Sequence, residues 1–364
     1  MRAALLEKNQ QPLAVVDDID VQSPGPREVL VRVSHCGICH SDLTMIDAPG
    51  GGQLPLVLGH EAAGLVEEVG GSVTSVRKGD KVMLTPIPTC GACYFCVRGQ
   101  SSLCVDGQNF MTGLRKDGTS PLSRRGERVF QGFGLGGWGQ FACVDERRAV
   151  KIDEDVPLEI ACVIGCAIQT GVGAVLNTAK VEEGATVLVM GLGGIGISIV
   201  QGARLANAAR IIVSDPNPGR RDYAANFGAT DILDPTKEDV VARTMALTGG
   251  IGVDYAFDGA GHSDCISTGI QAARTGGTIV MVGAAMQPLT LPIPAIFLTQ
   301  EKKLSGCLLG SCSGHRDIPR FLALWRKGVL DLESMITHQR PITDINAGLD
   351  DMRAGRGLRT VLAL

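Results

Sequence analysis

The chain carries two patterns of hydrophobic and polar positions, and the change falls near residue 158. Before it, short β-branched runs alternate with glycine and proline punctuation. Residues 29–33, 63–69, 81–84, 141–144 and 149–152 read as strands, with turn signals at Pro24-Gly25-Pro26, Gly70-Gly71 and Gly79-Asp80. Many short strands with such turns predict a β-rich domain. Residues 105–140 are polar and glycine-rich and read as a long excursion rather than core. After the change, 158–176 carries a helical pattern interrupted by Gly165 and Gly171. Strands at 186–190, 211–214, 253–257 and 278–282 then alternate with helical stretches at 194–208, 219–227, 237–247 and 262–273. That rhythm predicts a parallel sheet with helices on both faces. The tail adds a helix over 317–327, which Gly328 closes, and a strand over 359–364.

One junction in the second pattern carries chemistry. The unbroken run Thr186-Val187-Leu188-Val189-Met190 reads as a strand buried on both faces, and GLGGIG follows it at 191–196. Ile195, Ile199 and Ala203 then recur at helical spacing, and the next apolar run ends at Asp215, 19 residues past the last glycine. Strand, glycine turn, helix, strand and acid in that order form the dinucleotide-binding fingerprint. Gly191, Gly193 and Gly196 permit the tight turn and close approach to a pyrophosphate, while Gly194 and Ile195 open a helix whose free N–H groups face it. Asp215 would accept hydrogen bonds from the adenosine ribose and repel a 2′-phosphate, which selects NAD. Arg220-Arg221 resembles a phosphate clamp for NADP, but with Asp215 present Arg220 reads as a ribose contact, beside Asn217 in the same turn.

Composition narrows the class. At 364 residues the chain is long enough for two cores, and 45% hydrophobic with 20% charged residues fits an ordinary globular protein. A net charge of −4 and 4% aromatic residues argue against nucleic acid as a partner. No run approaches the roughly 18 apolar residues of a membrane span, and the N-terminus meets a charge too early for a signal-peptide core. The expectation is a cytoplasmic protein without a membrane partner. Four of the 12 cysteines form Cys90-x2-Cys93-x2-Cys96-x7-Cys104. Thiols this close in a reducing compartment match a closed tetrahedral zinc site of structural role. An iron–sulfur cluster and a set of buried thiols are the alternatives at this point.

A second set is dispersed: Cys39 in Cys36-Gly37-Ile38-Cys39-His40-Ser41-Asp42, His60 in Gly59-His60-Glu61, and Cys166 in Ile164-Gly165-Cys166-Ala167. Spacing alone does not select these three. Together with the four-cysteine lobe, Thr170-Gly171, the glycine turn and Arg359-Thr360, however, the segments resemble the zinc-dependent alcohol dehydrogenases of the medium-chain dehydrogenase/reductase superfamily, animal/plant-like branch. The resemblance covers nearly the whole chain.

It implies an α/β architecture in which a Rossmann domain, doubly wound about a parallel sheet, spans 168–305 and is inserted into a β-rich GroES-like catalytic domain of 1–167 and 306–364. The substrate cleft would lie at their junction. By resemblance Cys39, His60 and Cys166 hold a catalytic zinc, Cys90, Cys93, Cys96 and Cys104 a structural zinc, and Cys36 no metal. Asp42 and Glu61 match acids of the surrounding shell, and Ser41 matches the hydroxyl that passes the substrate proton to the cofactor ribose. Thr44 stands where many members carry the histidine at the outer end of that relay. His40 and Arg359 match groups placed on the pyrophosphate, and Thr170 joins the cofactor contacts. The implied reaction is reversible oxidation of a primary or secondary alcohol to an aldehyde or ketone, with hydride transfer to NAD. Pro86, Phe110 and Phe133 are candidate walls of a largely apolar pocket. A glutathione-linked formaldehyde dehydrogenase is the alternative, with Arg115 and Lys116 as candidate partners for glutathione carboxylates. A non-enzymatic nucleotide-binding redox sensor on the same fold is more remote. A small-molecule substrate and a homodimer, with a tetramer as the other assembly, complete the expectation.

Overall fold

The computed structural model describes residues 1–50, 52–107, 110–284, 288–289 and 295–364. Its contacts separate two units: Met1–Cys166 with Ser313–Ala323 and Leu332–Leu364, and Ala167–Cys312 with Leu324–Asp331.

In the second unit the unbroken apolar runs became the middle of a sheet. Thr186–Met190 is flanked by Arg210–Ser214 and Val253–Asp258. Asp231–Leu233 lies beyond the first, and Ala273–Met281 and then Lys303–Gly306 lie beyond the second. Every pairing is parallel. Counted along the chain, the strand order is 3-2-1-4-5-6, so it reverses beside the first strand, where doubly wound sheets bind their ligands. The glycine turn leaves that strand's C-terminal end. Helices Gly194–Leu205, Pro218–Phe227, Val240–Leu247 and Ser263–Ala272 fill the connections. Leu188, Ile212, Ala256, Ile266, Ile270 and Ile279 pack into one core.

The first unit is built on antiparallel pairing. Glu28–Gly37 is the hub of a seven-stranded sheet, pairing with Glu61–Val69, Phe141–Asp145 and Arg359–Ala363. A second sheet runs in the order Ala14–Val16, Ala3–Leu6, Leu56–Val57, Glu127–Gln131, Leu122–Arg124 and Asp20–Val21. Leu5, Leu6, Val31, Leu58, Val82, Leu135 and Trp138, drawn from both sheets and their loops, share one core.

Two sequence expectations are corrected here. The stretch 105–140 is not wholly an excursion: Leu122–Arg124 and Glu127–Gln131 form a hairpin in the second sheet, and Trp138 has no exposed surface. Short strands crossed by polar residues hide such a pattern (Gln108 and Asn109 of that stretch lie outside the described residues). A run of membrane-spanning length also exists. The helix Leu158–Ala179 is 22 residues long and apolar enough, but 89% of its most apolar window is buried inside the protein. Its side chains are already covered by neighbouring elements.

Candidate active site and cofactor turn

The dispersed ligand candidates arrive from three different kinds of element. Cys39 is the N-cap of the helix His40–Asp47, His60 immediately precedes the strand Glu61–Val69, and Cys166 sits in a π-helical turn, Ile164–Ile168. Such a turn holds one more residue than an α turn and recurs at functional sites. Gly165 lies against the Leu84 carbonyl, where a Cβ would stand 3.0 Å from the oxygen. One ligand atom from each of Cys39, His60, Glu61 and Cys166 lies within 4.8 Å of the other three, and all four residues are buried.

The sulfurs of Cys39 and Cys166 are 3.9 Å apart. Two thiolates on one tetrahedral zinc, with Zn–S of about 2.3 Å, stand about 3.8 Å apart. The pair therefore already has the spacing the metal requires. The proton distribution between them fits as well. Cys39 is held well below the usual thiol range, first by the hydrogen bond from Cys166 and then by the charges of His60 and Arg359 against the cost of burial. Cys166 is pushed up by that same bond and by burial. Two buried thiols this close resist double ionisation until a cation sits between them.

His60 is oriented by Asp42. Its Nδ1 lies 3.1 Å from Asp42 Oδ1, and a carboxylate accepts, so in the neutral ring Nδ1 carries the proton and Nε2 offers its lone pair. Burial opposes charging of this imidazole, but Asp42 and Cys39 together raise it well above the ordinary histidine range. The fully buried Asp42 also accepts from the backbone N–H groups of Cys39 at 3.2 Å and Gly59 at 3.1 Å. One carboxylate thus fixes a helix start, a loop and a ligand ring. Ser41 Oγ is 3.2 Å from both Cys39 Sγ and His60 Nε2. Thr44 donates its hydroxyl to the His40 carbonyl at 3.0 Å, within its own helix, and the His40 side chain is exposed.

Glu61 and Arg359 form a buried pair beside these ligands. Arg359 donates to the Ile38 carbonyl at 2.9 Å and lies 3.3 Å from Glu61 Oε1. Neither Glu61 oxygen has a hydrogen-bond donor, and burial pushes this carboxyl up to about 8 against the pull of Arg359. The space for Glu61 exists because position 37 is glycine; a Cβ there would collide with the carboxylate. A carboxyl group without a hydrogen-bond donor within the ligand cluster, two thiols and an oriented imidazole together fit a zinc ion.

The four-cysteine lobe fits one too. Its sulfurs lie within 4.8 Å of one another, with Cys90 and Cys96 3.9 Å apart. Backbone N–H groups point at the sulfurs: Cys93 N at Cys90 Sγ (3.3 Å), Cys96 N at Cys93 Sγ (3.5 Å) and Cys90 N at Cys104 Sγ (3.3 Å). Such bonds stabilise thiolates, and hydrogen bonds from the backbone N–H groups of Val105 and Cys96 lower Cys93 to about 6. Burial raises Cys96 to about 12. All 12 cysteines are free.

In the second unit the glycine turn has the shape its sequence predicts. Gly191 is left-handed at φ 84°, and a Cβ on Gly196 would collide with its carbonyl. Around Gly193, the N-cap of Gly194–Leu205, a Cβ would meet nothing within 4 Å. That open face at a helix N-terminus is where a pyrophosphate fits. Asp215 accepts from Leu192 N at 2.7 Å and Asn217 N at 2.8 Å, and Arg220 Nη1 stands 3.9 Å from it. Arg221 is already paired with Asp234 at 2.8 Å, so it is no free phosphate clamp. The buried Thr170 lies in the helix Gln169–Gly173, and a Cβ on Gly171 would collide with Ser198.

Of the candidate pocket walls, Phe133 lies against His60 and Phe110 lies against Phe133. The Phe133 ring is 4.3 Å from the His60 ring and stacks on Phe110 at 6.1 Å. Met45, Leu56 and Met111 line a cavity beside Phe133, and sequence reasoning had no signal for them. Phe133 adopts φ 53°, ψ 19°, a left-handed conformation rare for a bulky residue and costing of the order of 1–3 kcal/mol. Arg115 forms a bidentate pair with Glu28 at 2.8 and 2.7 Å, and Lys116 pairs with Asp106 at 2.7 Å.

Two family models match: an alcohol dehydrogenase GroES-like domain over residues 25–154 and a zinc-binding dehydrogenase domain over 194–327. S-(hydroxymethyl)glutathione dehydrogenases are similar along their full length: that of Escherichia coli O157:H7 is 37% identical over 99% of both chains, and that of Haemophilus influenzae 36% over 99% of this chain and 96% of its own. Among solved structures, an alcohol dehydrogenase zinc-binding domain protein from Burkholderia ambifaria superposes with a TM-score of 0.94 at 33% identity, covering 100% of this chain and 98% of that one. Benzyl alcohol dehydrogenase from Acinetobacter calcoaceticus gives 0.93 at 29%, covering 100% and 99%. The chain belongs to the zinc-dependent medium-chain alcohol dehydrogenases. It is an NAD-dependent oxidoreductase that carries zinc and oxidises a small-molecule alcohol.

Proposed function

We propose that the alcohol is an apolar primary or secondary one, with an aromatic or allylic group against the Phe133 ring. The observation that carries this reading is the Phe133 ring tilted against the ring of His60 and stacked on Phe110, with methionine and leucine lining the cavity beside it. A glutathione adduct is the second reading, favoured by the similar S-(hydroxymethyl)glutathione dehydrogenases. It needs free cations for carboxylates, and Arg115 and Lys116 are already engaged by Glu28 and Asp106. NADH formation across benzyl, allylic and short aliphatic alcohols, and from formaldehyde plus glutathione, separates the two. Benzyl alcohol is expected to give the higher kcat/KM, and a preference for formaldehyde plus glutathione refutes the apolar reading.

When bound, zinc acidifies an alcohol or polarises a carbonyl, and NAD exchanges the hydride. Cys39, His60 and Cys166 would hold the metal by two sulfurs and Nε2, with Glu61 in the same cluster. Cys90, Cys93, Cys96 and Cys104 would hold the second zinc. Asp42 keeps His60 in the tautomer that donates from Nδ1. Ser41, with its hydroxyl 3.2 Å from both ligands, would carry the substrate proton outward. Since Thr44 is bonded to its own helix, the onward path would run through water or another base. Ser41→Ala is expected to lower turnover about 10²-fold with NADH affinity unchanged, and an unaltered rate in a chemistry-limited assay would remove Ser41 from the relay. His40 and Arg359 are assigned to the pyrophosphate. Gly191, Gly193, Gly194, Ile195, Gly196, Thr170, Asp215 and Arg220 complete the proposed NAD contacts.

The same reading makes 1–167 with 306–364 the catalytic domain and 168–305 the NAD domain. A cytoplasmic location is the proposed one, in keeping with twelve cysteines none of which forms a disulfide. A homodimer is the proposed assembly; among the described residues the strand Lys303–Gly306 pairs on one side only.

A further inference from the structure

Arg148 is a buried cation without an anion. It is 8% exposed and forms no ion pair among the described residues, whereas the buried Arg359 has Glu61. Burial pushes it down to about 10, with the charge of Asp145 opposing and that of Arg147 assisting. An unpaired guanidinium is costly to bury unless its hydrogen bonds are met. Its Nη1 donates to the carbonyls of Pro86 and, at 3.4 Å, of Phe133. Those two residues belong to separate segments, and both are candidate pocket walls.

The local backbone is shaped around that guanidinium. Gly134 has φ 67°, and a Cβ there would stand 2.8 Å from Nη2 and 2.9 Å from Cζ, so glycine makes the room. Phe133, just before it, is held left-handed, a state that persists only where the surroundings over-determine it. The guanidinium is such a determinant: anchored on the Pro86 carbonyl, it stands 3.4 Å from the Phe133 carbonyl and fills the space beside Gly134.

We infer that Arg148 is a positioning residue: by bonding the Phe133 carbonyl it holds Phe133 left-handed, and so sets the ring against His60 and the width of the pocket toward Phe110. It touches no reacting atom. Its effect falls on which alcohols fit. The inference rests on the reading that the Phe133 ring faces the substrate.

The test compares Arg148→Lys and Arg148→Met with the parent enzyme, using ethanol and benzyl alcohol. If the parent does not oxidise benzyl alcohol, the substrate reading fails by itself, and the bulkiest alcohol it does oxidise replaces benzyl alcohol. Arg148→Met is expected to lower the bulky-to-ethanol ratio of kcat/KM about tenfold, chiefly through KM. Zinc per chain stays unchanged, and the Kd of benzamide for the enzyme–NADH complex rises in step. Arg148→Lys, which keeps the charge and one donor, recovers part of both. In a Phe133→Ala background Arg148→Lys is expected to change the ratio less than about twofold, since the two residues act as one unit. Equal losses for both alcohols, loss of zinc, or full additivity with Phe133→Ala overturns the inference.

Discussion

Cys39→Ser is expected to lower kcat/KM for the preferred alcohol by about 10³-fold or more, because the metal supplies several kcal/mol of charge stabilisation. It should also reduce bound zinc from two ions per chain to one, in keeping with the two ligand clusters. Serine fills the same volume, and its hydroxyl does not ionise near neutral pH, so the cluster keeps only Cys166, His60 and Glu61. Cys39 is suited to ionise where it stands: it caps the N-terminus of His40–Asp47 and accepts hydrogen bonds from Ser41 and Cys166. The four-cysteine lobe is untouched, which leaves the remaining zinc as an internal control. Metal analysis beside steady-state kinetics decides the matter. Two zinc ions in an inactive variant would place the metal elsewhere, and retained activity would discard Cys39 as a ligand.

The second large effect is expected at Asp215. Asp215→Ala should lower kcat/KM with NAD by about 10²-fold or more, since two hydrogen bonds to a charged acceptor contribute about 1.5–3 kcal/mol each. NADP should gain relative to NAD once the repelling charge is gone. The structure adds a second consequence. Asp215 also receives the Leu192 N–H at 2.7 Å, so alanine strands a buried donor inside the glycine turn. Thermal stability should therefore fall by an amount of the order of 1–3 kcal/mol, and a variant that keeps both its Tm and its preference for NAD would refute the assignment.

How far the chain could be read depended on how local the determining contacts are. The strand Thr186–Met190 was legible to the residue, because a strand buried on both faces is uniformly apolar. In the same sheet Ala273–Met281 starts five residues before the expected 278, since Gly276 and Gly277 conceal a segment held by backbone pairing to Val253–Asp258. In the first unit the fully buried Ala3–Leu6 and the helix His40–Asp47 were not picked out as elements. The first is too short to show a period, and the second is only weakly amphipathic. The glycine turn and the four-cysteine lobe announce themselves through close spacing. Cys39 and Cys166, 127 residues apart, required a resemblance to be picked out, because only tertiary structure brings a helix cap and a π turn together. Arg148 gave no signal at all. It is buried against the carbonyls of Pro86 and Phe133, contacts that join segments far apart in the chain.

The π turn around Cys166 has a consequence for how this centre tolerates change. Each residue of an α-helix advances about 100° around its axis. The surplus residue in Ile164–Ile168 therefore sets the angular phase of Cys166 against the segment before it. Its aim at Cys39 is encoded by chain length as well as by side-chain identity. Substitutions on the turn's far side leave that phase alone, whereas deletion of one residue within it would swing the sulfur away from its partner with every ligand still present. Homologous sequences aligned by their cysteines alone would miss such a loss, and the count of residues between Leu158 and Cys166 is the quantity that would reveal it.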